Sequence, residues 1–255
     1  MTTPLDKDML RRAELLLGST VMDRLAQVRV IIFGVGGVGS WCAEALVRTG
    51  IRHLTIVDSD HVAATNCNRQ LMATPRTIGR VKVEALRERL MELCPSLECV
   101  AIERFYDQST AQTFGIGQYD YVIDAIDSLQ AKADLIVEAT SLPAVTLFSS
   151  MGAALRLDPT KVRAKEFWKI EGDALARALR NKFKKQDRFP RRKFKCVCSE
   201  EVPMPNRSDQ SLVRDEWSDA RAQINGSLAP VTAAFGMTLC SLVLQDILKK
   251  CDNQQ

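Results

Sequence analysis

Glycines 34, 36, 37 and 39, an acid at Asp58, two cations at Arg69 and Lys82, and paired acids at Asp124 and Asp127 are the residues whose types and spacing could do chemistry in this 255-residue chain. The glycines follow four consecutive apolar residues, Val30 to Phe33, in the run VIIFGVGGVG. A buried strand that breaks into a turn too tight for side chains, and then into a helix, presents backbone N–H groups at the positive end of the helix dipole. Such a turn seats a phosphate without a side-chain cation, and Ser40 is placed to cap the helix that SWCAEALVRTG continues. Asp58 ends a second apolar segment, HLTIVD, 19 residues past Gly39. That is close to the spacing at which nucleotide-binding folds put an acid on ribose hydroxyls.

A polar knot of Asn66, Asn68, Arg69 and Gln70 comes next, and Lys82 opens a helix whose apolar face is Val83, Leu86, Leu90 and Leu93. Two permanent cations beside an anion seat suit a triphosphate, whose oxygens gather charge as pyrophosphate departs. The bland alternative is that both cations solvate the start of a helix. A nicotinamide site has no need of them. Asp124 and Asp127 close the segment YDYVIDAIDS, at the carboxyl edge of a parallel strand where α/β proteins bind ligands. One of the two suits Mg²⁺, which takes one or two carboxylates and keeps several waters. Alternatively, Asp124 caps a turn and Asp127 alone faces solvent.

The elements that must hold these residues alternate. Strands at 30–33, HLTIVD, LECVAIERF, YDYVIDAIDS and 143–152, with helices after the glycine turn, from Lys82 and at 128–140, predict a Rossmann-like, doubly wound, mostly parallel α/β sheet. We expect a single domain with a helical arm at 1–27, a nucleotide-binding core at 28–152, a basic insertion at 153–226 and a closing helix at 227–250. Between Lys161 and Lys195 basic residues outnumber acids, with Phe183, Phe189 and Phe194 interleaved. That pattern suits a phosphodiester backbone, with the rings packing or stacking on bases, or else a solvated helix face. The turn-rich stretch 203–225 is expected at the mouth of the site. The last helix is uncharged from Ser227 to Gln245, but Pro230, Gly236 and small polar residues favour a buried core or interface helix over a membrane span.

Bulk properties exclude little beyond disorder: 46% hydrophobic residues, 26% charged and a net charge of +4. Eight cysteines contain no C-x-x-C pair, so neither a disulfide frame nor a zinc site is implied. The N-terminus has neither a secretory leader's apolar core nor a transit peptide's composition, and a cytoplasmic location is expected.

In order and spacing, GVGGVG, VDSD, TNCNRQ, GRVKVEAL and DAIDS resemble the adenylating domain of the E1-like superfamily. Within it, GGVGSWCAEALVRTGI together with YVIDAIDS is most similar to the tRNA threonylcarbamoyladenosine dehydratases. The resemblance implies ATP and Mg²⁺ as cofactors. Gly34, Gly36, Gly37 and Gly39 would pack on the nucleotide, Asp58 would bind the ribose, Asn66, Arg69 and Lys82 the phosphates, and Asp127 the Mg²⁺. It also implies tRNA as substrate, a homodimer, and room for a sulfur-acceptor protein of a cysteine desulfurase system as a further partner. Arg12 lies six residues before Gly18, as in the family's R-Q-L-x-x-x-G segment, whose arginine reaches the neighbouring subunit's ATP site; without the resemblance, Arg11 and Arg12 read as surface charge. The zinc cysteine pairs common in sulfur-carrier activators are missing, which counts against the alternative of activating a ubiquitin-like protein's C-terminus. Cys196 and Cys198 invite a thioester reading, but an acyl-adenylate that cyclises on itself needs no cysteine.

Overall fold

The run RVIIF forms a strand because its branched side chains are buried on both faces at once. In the computed structural model, which describes residues 4–207 and 225–253, this is β1, Arg29–Phe33. Val30 and Ile32 enter one core layer, Ile31 and Phe33 the other, so the strand is continuously apolar instead of alternating. Around it lie β2 (His53–Asp58), β3 (Glu98–Glu103), β4 (Tyr121–Asp124), β5 (Thr146–Ser150), β6 (Val162–Glu166) and β7 (Lys195–Ser199), in the order β3-β2-β1-β4-β5-β7-β6. All pairings are parallel except β6 with β7. Register puts Phe33 opposite both Val57 and Asp124, so the chain leaves β1, β2 and β4 along one edge, at Gly34, Asp58 and Asp124.

The helices are α1 (Pro4–Leu17), α2 (Ser19–Gln27), α3 (Gly39–Arg48), α4 (Lys82–Leu93), α5 (Leu129–Ser141), α6 (Ala174–Gln186) and α7 (Ala229–Asp252). Residues of α3, α4 and α7 share one core layer, and those of α5 and α6 the other. Gly18, at φ 80°, breaks the N-terminal arm in two. Gly236 lets α7 lie directly on α3: a Cβ there would come within 2.5 Å of the Val38 carbonyl oxygen and 2.8 Å of the Cys42 nitrogen. Among the described residues, α7 is long and apolar enough to cross a membrane by composition, with a mean hydropathy of 1.6. Its apolar side, Val231, Phe235, Leu239, Val243 and Ile247, is instead buried in the core.

The stretch expected as an insertion after residue 152 continues the sheet through β7 and β6 and covers it with α6. Of the three phenylalanines expected to pack or to stack on bases, Phe183 and Phe194 are buried and pack. Phe167 joins them, its ring centroid 5.9 Å from Phe183 and 5.0 Å from Phe194; Phe189 alone is exposed. Several basic residues also serve the fold. Arg192 donates to the Ala139, Thr140, Leu142, Pro143 and Val145 carbonyls, tying the last turn of α5 to the link into β5. Arg188 pairs with Asp134 at 2.9 Å. Most of the 203–225 stretch, residues 208–224, lies outside the described residues.

Candidate active site

Three positions of the glycine turn after β1 lack room for a side chain, each for its own reason, whereas at Gly36 the nearest atom to an added Cβ is Gln70 Nε2 at an ordinary 3.7 Å. Gly34 has φ 84°, and a Cβ there would meet the Ala125 carbonyl oxygen at 2.7 Å. At Gly39 the obstacle is the Gly34 carbonyl oxygen at 1.8 Å; at Gly37 it is Thr232 at 3.2 Å. Ser40, expected to cap α3, lies inside the helix instead. Its hydroxyl donates to the Gly36 carbonyl at 2.7 Å and accepts from the Leu71 N–H at 3.2 Å, tying the turn to the polar knot. No side chain caps α3. The Ser40 N–H donates to the Gly36 carbonyl at 3.2 Å, so an anion at this helix start would meet the other amides of the turn.

A cleft of about 340 Å³ opens over this turn. Asp58 lines it, with Oδ2 accepting from the Val35 N–H at 2.8 Å and Oδ1 from the Asp60 N–H at 2.9 Å. Burial raises the Asp58 pKa above the ordinary aspartate value, while Lys82 and the two backbone donors pull the other way. Lys82 also lines the cleft, its side chain only 7% exposed, and pairs at 2.8 Å with Asp60, whose side chain is 64% exposed. Asp60 escaped the sequence reading although it stands two residues past the ribose acid. It holds the Lys82 ammonium over the cavity.

Arg69 and Asp127 both line the cleft, near enough for their charges to interact. Burial lowers the Arg69 pKa and the charge of Asp127 opposes the shift. The Arg69 guanidinium is steadied by the Thr65 carbonyl at 3.0 Å and Asn68 Oδ1 at 2.9 Å, and its carbonyl accepts from the Trp41 indole at 3.0 Å. Asp124 is fully buried and ion-paired with Lys132, so of the two acids only Asp127 is exposed to the cavity.

Of the other residues named from the sequence, Asn66 lies outside the cleft, and Arg12, expected at the neighbouring subunit's site, is not in this one. Asn66 Oδ1 accepts from the Ala63 N–H at 3.0 Å and closes the turn that carries the knot. Arg12 is exposed on α1.

Apart from Gln70 of the polar knot, the other wall residues carried no sequence signal. Phe105, 49% exposed, and Arg104 stand on the β3 side, near Asp58. Gln70 presents a buried Oε1 with no hydrogen-bond partner, an acceptor that a bound ligand or water can satisfy. Beyond β5 the wall is small and apolar: Met151, Gly152, Ala153, Ala154 and Leu175. Arg156 fixes it from behind, donating to the Gly152 carbonyl at 3.1 Å and pairing with Asp173 at 3.3 Å. Cys196 and Cys198 are buried in β7, and burial pushes Cys198 up to about 11 and Cys196 well above the usual thiol value. Neither is a ready nucleophile.

Strand order reverses between β1 and β4, and the glycine turn, the ribose-type acid and Asp127 gather where it does. The fold and cleft define a Rossmann-like α/β protein with an uncapped anion seat at its topological switch point. The chain belongs to the ThiF family, whose profile matches residues 10–255. It is 35% identical over 244 residues to the tRNA threonylcarbamoyladenosine dehydratase of Bacillus subtilis, covering 93% of this chain and 94% of that one. The Escherichia coli tRNA N6-threonylcarbamoyladenosine dehydratase, solved in complex with ATP, superposes with a TM-score of 0.87 at 30% identity over the full length of both chains. The Escherichia coli molybdopterin-synthase adenylyltransferase is 30% identical over 138 residues, about half of each chain (53%).

Proposed function

We propose that this chain is an ATP-dependent dehydratase that cyclises N6-threonylcarbamoyladenosine at position 37 of tRNA through a carboxyl-adenylate. The observation that carries the reading is the gathering of Asp58, Arg69, Lys82 and Asp127 around the uncapped start of α3, in one cleft that extends past β5 into a small apolar wall. Full-length likeness to dehydratases, against half-length likeness to an adenylyltransferase, favours it over activation of a ubiquitin-like carrier protein.

The adenosine would lie against Phe105 with its ribose on Asp58, and the phosphates would lie over Gly34, Gly36, Gly37 and Gly39 between Arg69 and Lys82. Among the described residues no cluster of three or more His, Cys, Asp or Glu is built to hold a metal. Of the exposed carboxylates lining the cleft, Asp60 is paired with Lys82, and Asp127 fits Mg²⁺, which binds through one or two carboxylates and substrate phosphates. Asp127 would hold it, and the ion would neutralise charge on the departing pyrophosphate. The substrate carboxylate attacks the α-phosphorus and expels pyrophosphate. An atom of the same modification then attacks the acyl carbon, AMP leaves, and the net change is loss of water. The second step is intramolecular and gains a high effective concentration, so no covalent enzyme intermediate is needed. Incubating the protein with ATP, Mg²⁺ and tRNA that contains the modification, then weighing the nucleosides, tests this. Conversion to the cyclic form is expected; uncyclised nucleoside alone would refute it.

We place the protein in the cytoplasm as a homodimer in which Arg12 completes the partner's phosphate site. Arg12 shares α1 with Leu15 and Leu16, 80% and 82% exposed, an apolar face suited to a second copy. Arg12→Ala and Lys82→Ala homodimers should both be inactive, and mixing them should restore activity in heterodimers, which contain one site with neither lesion. Absence of recovery, with subunit exchange shown by differently tagged chains, returns Arg12 to the surface.

The tRNA would track along α6, whose Leu175 lines the cleft and whose Gln186 hydrogen-bonds Gln130, three residues beyond Asp127. Lys184 and Lys185 are exposed in its last turn. The double variant Lys184→Glu/Lys185→Glu should weaken tRNA binding and flatten its log–log salt dependence by about 1.5, with ATP affinity unchanged. Filter binding across a salt series measures both. The reading leaves room for a sulfur-acceptor protein as a further partner.

A further inference from the structure

Asp127 sits on the four-residue link between β4 and α5, Ala125 to Ser128, and such a link has no rigidity of its own. Here it is gripped from two sides. Above, the Ala125 N–H donates to the Phe33 carbonyl at 2.8 Å, and the missing side chain of Gly34 lets the two backbones touch. Below lies a fully buried cluster that the phosphate chemistry does not use. Lys132 Nζ donates to the Ile126 carbonyl at 3.0 Å and pairs at 2.8 Å with Asp124 Oδ2, both side chains at 0% exposure. Asp124 Oδ2 also accepts from Ser149 Oγ at 2.6 Å, and Oδ1 accepts from the Ile126 N–H at 3.1 Å. Both polar groups of the Ile126 backbone, immediately before Asp127, are therefore held by one buried ion pair.

We propose that Lys132, braced by Asp124 and Ser149, is a positioning residue that fixes the direction in which Asp127 presents its carboxylate to the nucleotide-bound cation. A buried ion pair is weak support for stability, because desolvation consumes most of the attraction. Its value here is directional: a cation that grips a loop carbonyl leaves the next residue with one orientation. The inference rests on the assignment of Mg²⁺ to Asp127. Groups that orient a carboxylate ligand change metal affinity without touching the metal.

The test removes the clamp without stranding a buried charge. In the double variant Asp124→Asn/Lys132→Met, the introduced amide keeps an acceptor for the Ile126 N–H and the thioether chain fills the aliphatic space, while the Ile126 carbonyl loses its donor. Thermal melting checks the fold. Calorimetry then compares binding of ATP with excess EDTA and of ATP with Mg²⁺. Metal-free ATP affinity should stay within about two-fold, whereas the extra affinity conferred by Mg²⁺ should fall about ten-fold, with a matching rise in half-saturating Mg²⁺ for pyrophosphate exchange. The milder Ser149→Ala, which leaves both charges in place, should move the same constant the same way by roughly two-fold. Asp127→Asn is run in parallel. If it abolishes the Mg²⁺ contribution while the clamp variants leave it intact, the positioning role is overturned and the metal assignment stands. If Asp127→Asn itself leaves the Mg²⁺ contribution intact, both fall.

Discussion

Lys82→Ala is expected to lower the rate of AMP release by about 10³-fold or more, the scale of losing one charged donor aimed at a developing phosphate charge. The chain should remain folded, since Asp60, the ion-pair partner, is largely solvated and accepts water in place of the ammonium. Lys82→Arg keeps the charge but swaps a compact ammonium for a planar fork in a nearly closed space, so only partial recovery is expected. Calorimetry and single-turnover AMP release separate affinity from chemistry. A rate within ten-fold of the parent would remove Lys82 from the phosphate site.

The same variant carries a signed pH effect. Burial already lifts the Asp58 pKa, and the neighbouring Lys82 charge holds it down. Without that charge Asp58 should bind a proton at still higher pH, and protonation removes the acceptor offered to the ribose. The acid limb of nucleotide binding should therefore move upward in Lys82→Ala. A downward movement would mean that the limb belongs to another group.

These residues were legible in the sequence because their spacing is enforced by strand and helix lengths: a glycine turn must follow β1, Asp58 must end β2, and Lys82 must open α4. The departures arise where residue type has several local uses. Asn66 and Ser40 have the chemistry of a ligand and of a cap, and the backbone around them decided for a turn and a loop tie. Asp124 and Asp127 are alike by type, and of the two readings the sequence allowed, the structure has the one in which Asp127 alone is exposed, because Lys132 pairs with a buried Asp124. The basic segment was legible as charge but not as two strands and a helix, because the edge strand β6 carries arginine and lysine, β7 is a short buried run opened by Lys195, and Arg192 spends its charge near the end of α5. The apolar wall past β5 had no signal at all: Ala153 and Ala154 become informative only once the fold sets them beside Leu175.

Gly39→Ala and Gly36→Ala should part company, and their difference separates the fold from the ligand within a single turn. At Gly39 a methyl group would sit 1.8 Å from the Gly34 carbonyl oxygen and 3.0 Å from its carbon, backbone atoms with nowhere to go, because Gly34 is itself pressed against Ala125. Helix α3 must then back away from β1, at a cost of ~3 kcal/mol or more by the measure of overpacked cores. In a chain of this size that lowers the melting temperature by roughly 6–10 °C, and the displaced helix start should also lose nucleotide binding. At Gly36 the nearest atom to an added methyl is Gln70 Nε2, at 3.7 Å, an ordinary contact. Gly36→Ala should therefore melt within roughly 2 °C of the parent, yet bind nucleotide more weakly, because its methyl group projects into the space where a phosphate approaches the amides. Thermal melts and nucleotide titrations on both variants decide the matter. Equal loss of stability in the two would mean that the turn is built from packing alone, and intact nucleotide binding in Gly36→Ala would move the phosphates off it.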